Sequence, residues 1–74
     1  MQPDLSRDDL EEGIRQWILG RNGERDRIIL SMYLFDGITY AAMQKRLDQM
    51  DYPLSVDQIK KIIRKRKAEL FRHY

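Results

Sequence analysis

From Ser55 to Arg72 the chain reads SVDQIKKIIRKRKAELFR, and Val56, Ile59, Ile63 and Leu70 recur there at the spacing of one face of an α-helix. Seven cations (Lys60, Lys61, Arg64, Lys65, Arg66, Lys67 and Arg72) accompany them, against the two carboxylates Asp57 and Glu69. Asp57, Lys61, Arg64, Lys65, Ala68 and Arg72 fall on the far side of the same helix. Such a helix must bury its apolar stripe against other elements, while its far face offers cations to something anionic. Ser55 followed three residues later by Gln58 is a capping-box pattern, in which the two side chains satisfy free backbone N–H groups at a helix start. The rest of the chain is expected to be the scaffold that holds this helix out.

That scaffold has few options. The 74 residues include no cysteine, so a single domain (1–74) must stand without disulfides or a thiolate metal site. Packed helices can supply the core from the 42% of residues that are hydrophobic. No run approaches the ~20 apolar residues that span a membrane, and the acidic start MQPDLSRDDLEE has no hydrophobic signal core. These features predict a soluble cytoplasmic protein with no membrane partner. The net charge of +2 is unevenly spread: residues 1–57 carry a balance of −4 and residues 58–74 a balance of +6. Segregated charge of this kind favours an anionic partner at one face. The bland alternative is a solvated face paired with carboxylates elsewhere in the chain.

Residues 1–4 read as a loose lead-in. Ser6 is a good N-cap with Asp8 and Asp9 in the first turn, and Leu10, Ile14, Trp17 and Ile18 form a stripe, so a first helix is expected over about 6–19. Gly13 is expected to weaken it by roughly 1 kcal/mol relative to Ala. Gly20-Arg21-Asn22-Gly23 reads as a turn, with Gly20 as a C-terminal cap and Asn22 as the next N-cap. A second helix follows over 24–35. Its centre, IILSMYLF, is apolar nearly all round, the mark of burial on several sides. Asp36-Gly37 ends it. Thr39 caps a third helix at about 40–50, with Tyr40, Met43 and Leu47 facing inward; Pro53 then disfavours helical backbone at Tyr52. The fourth helix covers 56–72. The expected fold is all-α, a small four-helix domain ending in a helix-turn-helix whose recognition helix comes last.

Two short helices, the second basic and capped, suit DNA: the first turn of the second helix can enter the major groove while flanking cations meet phosphates. Particular residues add to this pattern. Glu24-Arg25-Asp26-Arg27-Ile28-Ile29-Leu30, then Tyr33-Leu34, Asp36-Gly37-Ile38-Thr39-Tyr40, Met43 and Leu47, and beyond the turn Ser55, Ile59, Ile62 and Leu70, run in the order of a motif. The motif has a charged E-R-x-R-x-x-L start and then Y-x-x-G-x-S/T-Y. Over about 24–70 the chain resembles the fourth conserved region of bacterial sigma factors, and in size the stand-alone sigma-like proteins of phages and mobile elements.

The resemblance implies double-stranded DNA as partner, transcription regulation as role and the nucleoid as location. It places base-reading positions at Val56, Asp57, Gln58, Lys60 and Lys61, behind the cap Ser55. Asp57 can accept from a cytosine amino group, Gln58 can pair with adenine and Lys61 can reach guanine. Arg64, Lys65 and Lys67 are placed for phosphates, as are Thr39 and Tyr40 at the start of the third helix. Three departures stand out. Val56 replaces the Arg common in primary sigma factors, the turn between Leu47 and Ser55 is about five residues longer, and Gln44 stands where a small Ala is usual. Nothing corresponds to the sigma region that binds core polymerase most tightly and melts promoter DNA.

A rival reading makes the chain a protein-interaction adaptor whose basic helix docks on RNA polymerase or another acidic partner. A homodimer through Leu10, Ile14 and Trp17 of the first helix is a further expectation, because one small helix-turn-helix usually binds weakly alone. His73 reads as a surface residue, and Phe71 and Tyr74 as packing for the end of the fourth helix. No Ser-His-Asp set, phosphate-cradling Gly loop or metal-spaced cluster occurs, so no enzyme activity, cofactor or metal is expected.

Overall fold

A computed structural model describes residues 5–74; the expected lead-in at 1–4 lies outside the described residues. The fold is all-α: α1 (Arg7–Trp17), α2 (Gly23–Ser31), a π-helical turn (Met32–Asp36), α3 (Tyr40–Gln49) and α4 (Val56–Phe71), with no strand among the described residues. Local chemistry explains most boundaries. Ser6 starts α1 with a full capping box, its hydroxyl accepting from Asp9 N while the Asp9 carboxylate accepts from Ser6 N. Thr39 Oγ1 accepts from Ala42 N at 3.1 Å to start α3. Ser55 and Gln58 form the second box at the head of α4.

Several expectations need correction. The first helix ends at Trp17, two residues early, where Ile18 turns out of helical backbone. Asn22 makes no side-chain cap; the turn is closed instead by Gly23 N donating to Gly20 O. The second helix does not run on to residue 35 as α-helix, but passes at Met32 into the π turn that ends at Gly37, φ 61°. The left-handed backbone at Gly37 has no Cβ to hold, which is why the chain can reverse there. The wider π turn shifts the register of the apolar run after Met32.

The fold has two distinct cores. Ile29, Met32, Met43, Leu47, Ile59 and Ile63 form one, joining α2 and the π turn to α3 and the first half of α4. Ile14, Ile18, Leu30 and Leu70 form the other, joining α1 and α2 to the end of α4, with Leu10, Trp17, Leu34 and Phe35 packed around it. Burying each of these aliphatic side chains contributes roughly 1.5–3 kcal/mol. α2 therefore serves both cores, as its apolar circumference implied. Gly13 has a reason the sequence did not supply. A Cβ there would run into the Tyr74 hydroxyl and stand 2.9 Å from Leu70 Cδ1, so glycine lets these side chains lie against α1 without shifting.

Arg66 sits in the α4 stripe between Ile63 and Leu70, where a third apolar residue would ordinarily stand. Its guanidinium donates to Asp26 Oδ2 at 2.7 Å, Glu69 Oε2 at 2.7 Å and Leu19 O at 3.0 Å. Arg25 donates to the other Asp26 oxygen at 2.9 Å, and Arg27 to Ile18 O at 2.8 Å. The charged start of α2 thus ties down the end of α1 and the middle of α4. Burial alone would lower the Arg66 pKa, but the hydrogen bonds and charges of Asp26 and Glu69 outweigh it and raise the group above its ordinary value.

Candidate nucleic-acid interface

The exposed side of α4 is organised by its stripe. With Ile59, Ile63 and Leu70 buried, geometry turns Asp57, Lys61, Arg64, Lys65, Ala68 and Arg72 outward, and all six are exposed. The ion pairs among the described residues engage Arg7, Arg25, Arg46 and Arg66; none involves Lys60, Lys61, Arg64, Lys65, Lys67 or Arg72. Of the seven cations counted in this stretch, Arg66 is structural. The bland reading, in which carboxylates elsewhere pair with this face, therefore applies to Arg66 alone among the described residues.

The first turn of α4 presents the positions expected to read bases, each held differently. Ser55 Oγ accepts from Gln58 N at 3.1 Å, and Gln58 Oε1 accepts from Ser55 N at 2.8 Å. Gln58 is exposed, yet its oxygen is engaged; the amide NH2 is the end left to donate. A two-point pairing with adenine needs the box to open. Asp57 is exposed in the same turn, where the helix dipole favours its charge. Val56 is half-buried rather than presented, whereas Lys60 and Lys61 are exposed.

Thr39, Tyr40, Lys60, Arg64 and Lys67 were expected as contacts along the helices; the structure brings four of them into one place. Tyr33, Tyr40, Lys60, Ile63, Arg64 and Lys67 line a cleft of 210 Å3 between the π turn, the start of α3 and the middle of α4. Lys60 Nζ lies 5.2 Å from the Tyr40 ring centre and Lys67 Nζ 5.4 Å from that of Tyr33. Thr39 is exposed beside the cleft as the α3 cap. Tyr33 packs on the first core, and its ring also walls the cleft. The helical spacing of Lys60, Arg64 and Lys67 marks the cationic line in the sequence, and nothing there marks Tyr33 as its wall.

The long connection is ordered by two devices. At the end of α3, Tyr52 N donates to Leu47 O at 2.8 Å and Asp51 N to Asp48 O at 3.2 Å, with Asp51 at φ 64°. This is a Schellman motif with Asp where Gly is usual, and Tyr52 packs on the core that contains Leu47. The helix therefore stops at a left-handed Asp51, and Pro53 only follows. Gln44 Nε2 then donates to Leu54 O at 3.1 Å. The residue that departs from a small Ala is the strut that fixes the extended turn. The order α3, turn, α4 is compatible with a helix-turn-helix.

Elsewhere, Leu10 and Trp17 pack around the buried Ile14 in the second core, so the expected dimer stripe faces largely inward. His73 is exposed but stacks on Trp17 with ring centres 4.1 Å apart, and Tyr74 donates to Asp9 O at 2.7 Å. Leu19, Phe71 and Tyr74 leave apolar surface exposed at this end of the molecule. Among the described residues, no group of three His, Cys, Asp or Glu is placed to hold a metal, and no helix is long and apolar enough to cross a membrane. Comparison with family models, curated proteins and solved structures finds no match to this chain.

Proposed function

We propose that this chain binds double-stranded DNA through α4 and acts as a small transcriptional regulator of the kind that sigma factor region four resembles. The observation that carries the reading is the set of six α4 cations outside every ion pair among the described residues, on a helix whose other face is fixed by two cores. The first turn of α4 supplies sequence reading: Asp57 accepts from cytosine, Lys61 reaches guanine, and the Gln58 NH2 donates to an acceptor on a base edge. Arg64, Lys65 and Arg72 supply phosphate contacts that set affinity and register. The role requires no catalysis, cofactor or metal, and its setting is the bacterial cytoplasm, at the nucleoid.

RNA polymerase is the second partner in this reading. Leu19 and Phe71 are among the exposed large apolar side chains available to such a contact. A homodimer through helix one would have to form without Ile14, which is buried in the second core.

The base-reading assignment is tested by comparing a preferred site with random DNA. Lys61→Ala and Gln58→Ala are expected to weaken binding to the site more than to random sequence, and Arg64→Ala to weaken both alike. Equal losses for all three on both DNAs would remove the assignment.

A further inference from the structure

Lys60, Arg64 and Lys67 follow one another at i, i+4 and i+7, so their charges share one line of α4 and repel. No carboxylate lines the cleft they enter, and none of the three forms an ion pair among the described residues. The two lysines are held at the cleft by the faces of Tyr40 and Tyr33. Lys67 is half-buried, so an anion there meets a partly desolvated cation and is attracted more strongly than at the open surface. Arg64, on the turn between them, brings a planar fork of donors that matches two oxygens of one oxyanion.

We infer that this cleft is a phosphoryl site, seating one phosphate group on the Arg64 fork with Lys60 and Lys67 on either side and Tyr33 and Tyr40 as walls. Three cationic side chains at one cleft offer more donors than the two oxygens of a carboxylate can meet, and a phosphate group brings further oxygens. The cleft, 210 Å3, has room for a phosphate group and is smaller than the pockets of about 300–1,000 Å3 that take drug-sized ligands. In taking that phosphate to be one of the DNA backbone, the inference rests on the DNA-binding reading. The oxyanion site itself does not.

The test titrates the 15N-labelled full chain with inorganic phosphate at constant ionic strength, with acetate as the comparison anion. Phosphate is expected to shift the amides of Tyr33, Tyr40, Lys60, Arg64 and Lys67 saturably, and acetate to leave them in place. Arg64→Gln and Lys67→Gln should each weaken phosphate binding by about tenfold, the worth of one charge-assisted hydrogen bond. Lys45→Gln, an equal loss of charge at an exposed position of α3 outside the cleft, should not. Equal effects of Lys45→Gln and Lys67→Gln, or equal shifts with acetate, would overturn the site.

The source of the phosphate is read on a short duplex by fluorescence anisotropy. Lys67→Gln is expected to weaken DNA binding and to reduce the salt slope by about 1. Loss of phosphate binding with DNA affinity unchanged would overturn the DNA source and leave a free phosphate ester. Saturable phosphate binding by a chain that retains no DNA would keep the site and overturn the DNA-binding reading.

Discussion

Arg66 Nε donates to Asp26 Oδ2 at 2.7 Å, across the boundary where Ile63 enters one core and Leu70 the other. The pair joins α4 to α2 at the one place where the α4 stripe is polar, and Asp26 is the buried charged residue of the molecule as described. Each partner keeps a second counter-ion, Asp26 with Arg25 and Arg66 with Glu69, so removing one costs less than the roughly 3–5 kcal/mol of a buried charge left wholly unpaired. Asp26→Ala, which takes the carboxylate from Arg25 and leaves Arg66 with Glu69, is expected to lower the urea midpoint. The double variant Asp26→Leu, Arg66→Met should recover most of that loss. A double variant no better than Asp26→Ala would show that the pair acts through something other than mutual compensation.

Asp51 ends α3 at φ 64°, where a Cβ is strained. Asp51→Gly should therefore stabilise the chain by roughly 0.5–1 kcal/mol, and Gly37→Ala, at φ 61°, should destabilise it by roughly 1 kcal/mol. Chemical denaturation of both variants checks the sign at each position.

Gln44→Ala introduces the small residue that the resemblance to sigma region four implies at this position, yet it removes the donor to Leu54 O. A loss of about 1 kcal/mol is expected, together with faster amide exchange over 50–55. Unchanged exchange would mean that the Schellman motif alone orders the connection.

Burial raises the Tyr74 phenol above its ordinary value, and the Asp9 and Glu12 carboxylates add to the shift. A group raised on folding contributes stability below its unfolded pKa, about 10, and the contribution is lost as pH rises through the folded value. The phenolate can no longer donate to Asp9 O, a contact that Tyr74 makes at 2.7 Å. Between pH 9 and pH 11 the melting temperature should fall further for the parent chain than for Tyr74→Phe. Parallel declines would contradict the contact.

The elements that sequence reading placed well are those fixed by neighbours a few residues away. Ser6 with Asp9, Thr39 with Ala42 N and Ser55 with Gln58 are local bonds, and all three helix starts fall where expected. Features that depend on distant packing were hidden. The π turn at Met32–Asp36 follows an apolar run that carries no helical-period signal of the change. Gly13 looked like a weakness until Tyr74 came against it from the far end of the chain. Arg66 was partly legible, since the stripe of Ile59, Ile63 and Leu70 points position 66 inward and a buried cation needs a carboxylate. Choosing Asp26 among the candidates required the fold. The cleft was legible only as its cationic line; Tyr33, on another element, completes it.

The central claim, that the unpaired cations of α4 meet DNA, is tested most directly by incubating the full chain with sheared genomic DNA, sequencing what is retained, and titrating salt on the enriched fragment. A recurring site is predicted, and neutralising six phosphates should give log affinity falling with log salt at a slope of roughly −5. No retention at moderate salt, or retention insensitive to salt, would contradict the account and favour a protein partner for this helix.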